Sequence, residues 1–105
     1  MFGFEKKLSL YSDERILFVK DDCPHCRKVL NALMKIESQT FIPASKIINI
    51  VNLDADPTGT RELARFEKLE GHELGTPYLY YEGTTVSGVV DEDSMQKMLI
   101  QLIWG

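Results

Sequence analysis

A short apolar run, Ile16-Leu17-Phe18-Val19, is followed after a brief polar segment by Cys23-Pro24-His25-Cys26 and then by apolar residues at helical spacing. This order restricts the fold more than any other feature of the chain. Residues 15–20 (RILFVK) are rich in β-branched and aromatic side chains and read as a buried strand. Cys26, Val29, Leu30, Leu33 and Met34 recur at i, i+3, i+4, i+7 and i+8, which predicts one apolar helix face. Pro24 suits the first helical position, because its missing N–H has no intrahelical partner there, so Cys23 stands at or just before the helix start. A second strand is expected over residues 46–53 (KIINIVNL), after a loop containing Ile42-Pro43. Such a strand–helix–strand unit lays two parallel strands side by side with a right-handed crossover. The cysteine pair then lies at the carboxyl end of the first strand, in the crevice where open α/β sheets bind their ligands.

Further along, Asp56-Pro57 reads as the cap and first-turn proline of a helix that runs to about Leu69 and is ended by Gly71. Residues 78–82 and 85–90 read as two strands of a hairpin turning at Gly83. In the last helix Asp93 is the expected cap, with Gln96 three residues later, and Met95, Met98, Leu99, Leu102 and Ile103 form one face. Tyr78, Tyr80 and Tyr81 read as sheet residues, and Met95 and Met98 as core. The first 14 residues are ambiguous, since Phe2, Phe4, Leu8 and Leu10 suit either a short helix or an extra strand. The order is βαβ then αββα, an α/β architecture.

At 105 residues the chain has room for one domain, taken as residues 1–105 with its core over about 15–104. A net charge of -4 with 12 Lys+Arg speaks against nucleic acid, whose phosphates call for clustered cations. The apolar runs fall far short of the roughly 18–20 residues needed to span a bilayer. The opening MFGFEKKLSL is broken by Glu5, Lys6 and Lys7 and does not read as a signal peptide. These points give the expectation of a soluble, cytoplasmic monomer without a nucleic-acid or membrane partner. Two cysteines are too few for a disulfide-stapled secreted scaffold, yet random placement gives their spacing in only about 2% of cases. Zinc takes about four ligands, and beyond the pair only His25 and the distant His72 remain, so no metal site is expected.

Lys20-Asp21-Asp22-Cys23-Pro24-His25-Cys26-Arg27-Lys28 resembles the K-x-x-C-P-x-C segment of dithiol glutaredoxins, within the thioredoxin superfamily. Gly75-Thr76-Pro77 resembles that family's cis-proline loop. Ser87-Gly88, followed by Asp91 and Asp93, resembles less closely the Gly-Gly and acidic segment that glutaredoxins use on glutathione. Small archaeal and phage thioredoxins of similar size resemble the chain as well. The match follows the element order over about residues 15–104, and it implies a thioredoxin fold: a four-stranded mixed sheet (βαβαββα) flanked by helices, with a short extra N-terminal element as an option. Two departures separate the chain from ordinary thioredoxin. Asp22 stands where a tryptophan precedes the first cysteine, and Leu17 stands where the buried aspartate falls. Against glutaredoxin, Asp21 and Asp22 bring negative charge toward a substrate that carries two carboxylates of its own. The CPHC sequence occurs both in strongly oxidising periplasmic enzymes, whose large helical insertion has no room here, and in small cytosolic archaeal thioredoxins.

Thiol–disulfide exchange needs an exposed thiolate that attacks and a neighbouring thiol that resolves the mixed disulfide. Cys23, at a helix amino terminus, suits the first role, because unpaired N–H groups and the macrodipole stabilise S⁻ there. Pro24 and His25 tune that sulfur, Arg27 or Lys28 push the same way, and Asp21 and Asp22 oppose them. Cys26, one turn on and on the apolar face, is the expected resolver. By resemblance, Thr76 beside a cis Pro77 offers backbone hydrogen bonds to an extended substrate strand, and Lys20, Ser87 and Gly88 join the substrate-binding set. The expected activity is reduction of protein disulfides, serving electron transport and redox homeostasis, with no bound cofactor. A thioredoxin-reductase-like partner or glutathione as co-substrate is the expected electron donor. A glutathione-dependent glutaredoxin, an oxidant or isomerase, and a metal- or iron–sulfur-binding module remain as alternatives.

Overall fold

The structure is a computed structural model, and it describes residues 3–7, 14–87 and 91–104. In chain order the elements are β1 (Gly3–Lys7), β2 (Arg15–Val19), α1 (Pro24–Thr40), α2 (Ala44–Ile47), β3 (Asn49–Asn52), α3 (Gly59–Glu70), β4 (Tyr78–Tyr81), β5 (Thr84–Ser87) and α4 (Glu92–Trp104). The strands form one sheet in the order β1-β5-β4-β2-β3. β2 pairs in parallel with β3, opposing Val19 to Asn52, and antiparallel with β4 on its other side. The four expected strands thus make the expected mixed sheet. The N-terminal element left open by the sequence is a fifth strand, β1, which pairs antiparallel with β5 at the edge. The architecture is consistent with a thioredoxin-like fold.

Successive side chains of a strand point to opposite faces, and β2 is buried on both. Leu17 and Val19 join Cys26, Val29, Leu33, Ile36, Met95, Met98 and Leu99 in a cluster between the sheet and helices α1 and α4. Ile16 and Phe18 join Val51, Leu63, Phe66, Tyr78 and Tyr80 under α3 on the other face. Apolar residues with no alternation are what a strand covered on both sides requires. The β4–β5 hairpin closes through Glu82 and Gly83, at φ 47° and 90°. Two left-handed residues in a two-residue loop match the right-handed twist of the strands, and glycine reaches that region without a Cβ clash.

Several boundaries differ from the sequence reading, each for a local reason. The buried stripe of α1 runs through Cys26, Val29, Ala32, Leu33 and Ile36, while Met34 is 63% exposed. At about 100° per residue, that stripe is centred well away from Met34. The expected second strand is shorter, because Pro43 opens the helical turn α2: Lys46 N–H donates to Pro43 O at 2.9 Å and Ile48 N–H to Ala44 O at 3.0 Å. The Glu37 carboxylate, near the end of the preceding helix α1, accepts the Ala44 N–H at 2.7 Å and fixes the turn. Ahead of α3, Asp56 accepts from the Thr58 N–H and hydroxyl at 2.9 and 2.8 Å. This turn delays the helix to Gly59, and the end at Gly71 is as expected, left-handed at φ 86°. The cap of α4 is Asp91 rather than Asp93, since Asp91 Oδ1 accepts the Ser94 N–H at 2.7 Å. That hydrogen bond first, and Lys28 among lesser causes, holds the Asp91 carboxyl below its ordinary range. No described helix is long and apolar enough to cross a membrane.

Candidate functional site

The carboxyl end of β2 delivers the chain through exposed Lys20, Asp21 and Asp22 to Cys23, the N-cap of α1. Cys23 is extended (φ -145°, ψ 99°), as an N-cap residue should be, and Pro24 takes the first helical position. The Cys23 sulfur accepts the Cys26 N–H at 3.2 Å, so it occupies the place a serine or aspartate oxygen takes in an ordinary cap. A sulfur there receives one of the free N–H groups of the first turn and lies at the positive end of the helix.

Cys23 and Cys26 form a disulfide, with Cα atoms 5.2 Å apart. The two cysteines differ slightly in burial. Cys23 keeps 8% exposure at the crevice, and Cys26 keeps none, sealed among the α1 and sheet residues of the core.

Across the crevice, the Thr76–Pro77 peptide bond is cis. The Thr76 carbonyl lies 3.7 Å from the Cys23 sulfur and the Thr76 hydroxyl 3.6 Å from it. A disulfide sulfur has no proton to give, so in this state the hydroxyl is the donor and the carbonyl a bare neighbour. In the dithiol state the Cys23 S–H gains an acceptor, and in the thiolate state the hydroxyl remains the partner. The loop that carries Thr76 is braced from α3: Glu67 accepts the Leu74 N–H at 2.9 Å, and Glu70 accepts the Tyr78 hydroxyl at 2.9 Å. Burial first, and Glu70 second, push the Tyr78 phenol well above its ordinary range, so it stays a donor. These two carboxylates are invisible as site residues in the sequence because they act through the loop.

The remaining sequence-expected residues are placed unevenly. Pro24 and His25 are exposed on the first turn of α1, and Lys20 is exposed at the end of β2. Ser87 is the last residue of β5, and Gly88 lies outside the described residues. Asp91, one of the acidic pair expected beyond them, is occupied as the α4 cap, while Asp93 is exposed 4.0 Å from Lys35. Lys28 directs part of its charge to Asp91 and Glu92. Asp21 also departs from expectation: its carboxylate accepts the Asn52 amide N–H at 2.7 Å, turned to the end of β3. Sequence reasoning passed over Asn52 and Asp54. The available signal was topological, since polar residues ending the second parallel strand must lie beside the turn that ends the first. Among the described residues, no three His, Cys, Asp or Glu side chains are grouped so as to hold a metal ion.

No family model matches the chain, and no curated protein sequence matches it.

Proposed function

We propose that the chain is a thiol–disulfide oxidoreductase that reduces protein disulfides, with Cys23 as the attacking sulfur and Cys26 as the resolving one. One observation carries the reading: a disulfide at CxxC spacing caps a helix at the carboxyl end of β2, with Cys23 keeping 8% exposure and Cys26 none.

In the dithiol state Cys23 loses its proton, and its thiolate attacks one sulfur of a substrate disulfide. The substrate S–S bond breaks, a Cys23–substrate bond forms, and the departing substrate thiolate takes a proton from water. Cys26, as thiolate, then attacks Cys23, releasing the second substrate thiol and closing the Cys23–Cys26 bond. The substrate gains two electrons and two protons, and the pair loses them. A dithiol of a thioredoxin-reductase-like partner, or two glutathione molecules, returns the electrons by the reverse exchange. The two sulfurs carry the whole redox change, so no bound cofactor is needed. Thr76, with its backbone beside Cys23, supplies the edge on which an extended substrate segment pairs, and His25 and Pro24 tune the sulfur. A monomer working in the cytoplasm fits this role.

Steady-state reduction of insulin tests the reading, with NADPH and thioredoxin reductase as donor in one series and glutathione with glutathione reductase in another. Turnover is expected in at least one series and absent in both for Cys23→Ser. Wild-type protein that is inert in both series contradicts the proposal.

A further inference from the structure

We infer that Asn52 and Asp54 are positioning residues for Cys23, acting through a closed ring of three hydrogen bonds that ties the turn before the cysteine to the end of β3. The Asp21 N–H donates to Asp54 Oδ2 at 2.8 Å, the Asp54 N–H donates to Asn52 Oδ1 at 2.8 Å, and Asn52 Nδ2 donates to Asp21 Oδ1 at 2.7 Å. Each residue gives one hydrogen bond and takes one. The direction of the ring is fixed by chemistry, because a backbone N–H can only donate. Asn52 must therefore offer its oxygen to Asp54, which leaves its amide N–H for the Asp21 carboxylate.

The ring sits just beyond the end of the β2–β3 ladder. β2 and β3 pair up to Val19 and Asn52, and the Leu53 N–H extends the ladder by one bond to Val19 O at 2.9 Å. Beyond that point Lys20, Asp21 and Asp22 are all exposed, so no buried side chain anchors the segment before the N-cap. The main chain of Asn52 is itself held, since its carbonyl accepts from the Asp56 N–H at 2.8 Å and the Ala55 N–H at 3.2 Å. A rigid strand end thus grips a segment two residues from the sulfur. The grip sets the angle at which the chain enters α1, and with it the placement of the Cys23 sulfur against Thr76. It also keeps the Asp21 carboxylate hydrogen-bonded on the β3 side of the crevice. Displacing a reacting atom by about 1 Å can cost up to about a hundredfold in rate, so a remote clamp of this kind is a rate determinant.

This inference rests on Cys23 being the attacking sulfur, and the test is arranged to separate the two. Asn52→Asp removes the donor and sets two carboxylates against each other. Two rates are measured on reduced protein at a temperature where circular dichroism shows every variant folded: insulin reduction, and alkylation of Cys23 by iodoacetamide in a Cys26→Ser background. Asn52→Asp should lower both by about tenfold, the scale of one lost hydrogen bond to a charged group. Combining Asn52→Asp with Asp21→Asn rebuilds the ring with donor and acceptor exchanged, and both rates should return to within about twofold of wild type. Asp54→Asn keeps an acceptor for the Asp21 N–H and should stay near wild type, whereas Asp54→Ala should fall with Asn52→Asp. If Asn52→Asp matches wild type in both rates, or the exchanged pair is no better than the single variant, the positioning role is wrong. Wild-type protein without insulin turnover overturns the proposed function instead, and the alkylation series still decides the ring.

Discussion

In the Cys26→Ser variant, reduced and then mixed with a disulfide-bonded protein, a covalent adduct through Cys23 is expected to accumulate, whereas Cys23→Ser forms none. The expectation follows from access. Cys23 keeps 8% exposure, and Cys26 is sealed in the core between α1 and the sheet. On the proposed roles, the mixed disulfide should be short-lived with Cys26 intact, because the resolving sulfur is held one helical turn away at high effective concentration. Replacing that sulfur by oxygen removes the second step and leaves the first. Non-reducing electrophoresis with mass spectrometry of the linked peptides reads the outcome: adduct near one equivalent for Cys26→Ser, and none above background for Cys23→Ser. Turnover in both variants should drop to the uncatalysed rate. An adduct carried by Cys26 would reverse the assignment of roles.

Phe66→Ala is expected to cost the most stability of any single truncation on the α3 face. Phe66 is fully buried, with ring centroids 4.9 Å from Tyr80, 5.7 Å from Phe18 and 5.8 Å from Tyr78. Removing it strips the centre of a cluster drawn from β2, β4 and α3, and its rigid aromatic neighbours can close the space only in part. Loss of a buried Phe typically costs about 3–5 kcal/mol, a large share of the about 5–15 kcal/mol that holds a small domain together. A urea titration should show a lower midpoint with an unchanged slope. A cost under about 1 kcal/mol would mean that α3 is not packed on the sheet in this way. Because Glu67 and Glu70 of α3 brace the Thr76 loop, a partly unfolded Phe66→Ala protein should also lose reductase activity at lower urea than wild type.

The sequence carried much of this arrangement because the decisive signals are local. A β-branched run, a proline after the first cysteine and a helical apolar stripe place Cys23 at a helix amino terminus without tertiary information. What stayed hidden depends on specific hydrogen bonds, some local and some between distant segments. Residues 44–47 turn helical with Glu37, seven residues earlier on α1, accepting the Ala44 N–H, a side-chain-to-backbone contact that apolar periodicity does not report. β1 was undecided because its pairing strand, β5, lies some eighty residues away, at a register of Gly3 to Ser87. Asp91 and Asp93 carry equal local claims to cap α4, and only the Ser94 contacts separate them. Asp21 read as charge beside the sulfur because spacing along the chain was the only distance available. Folding brings Asn52 to it and gives that carboxylate a structural partner.

If Cys23 and Cys26 form a reducing couple, the reduction potential of the pair must fall in the reductant range. Equilibration in graded glutathione or dithiothreitol buffers, with thiol trapping and mass spectrometry, should give a reversible two-electron transition between about -270 and -200 mV. About 30 mV changes the equilibrium constant tenfold, so the measurement separates the roles sharply. A value near about -120 mV would make the protein an oxidant, and a disulfide still closed below about -300 mV would make it a structural bridge; either contradicts the account.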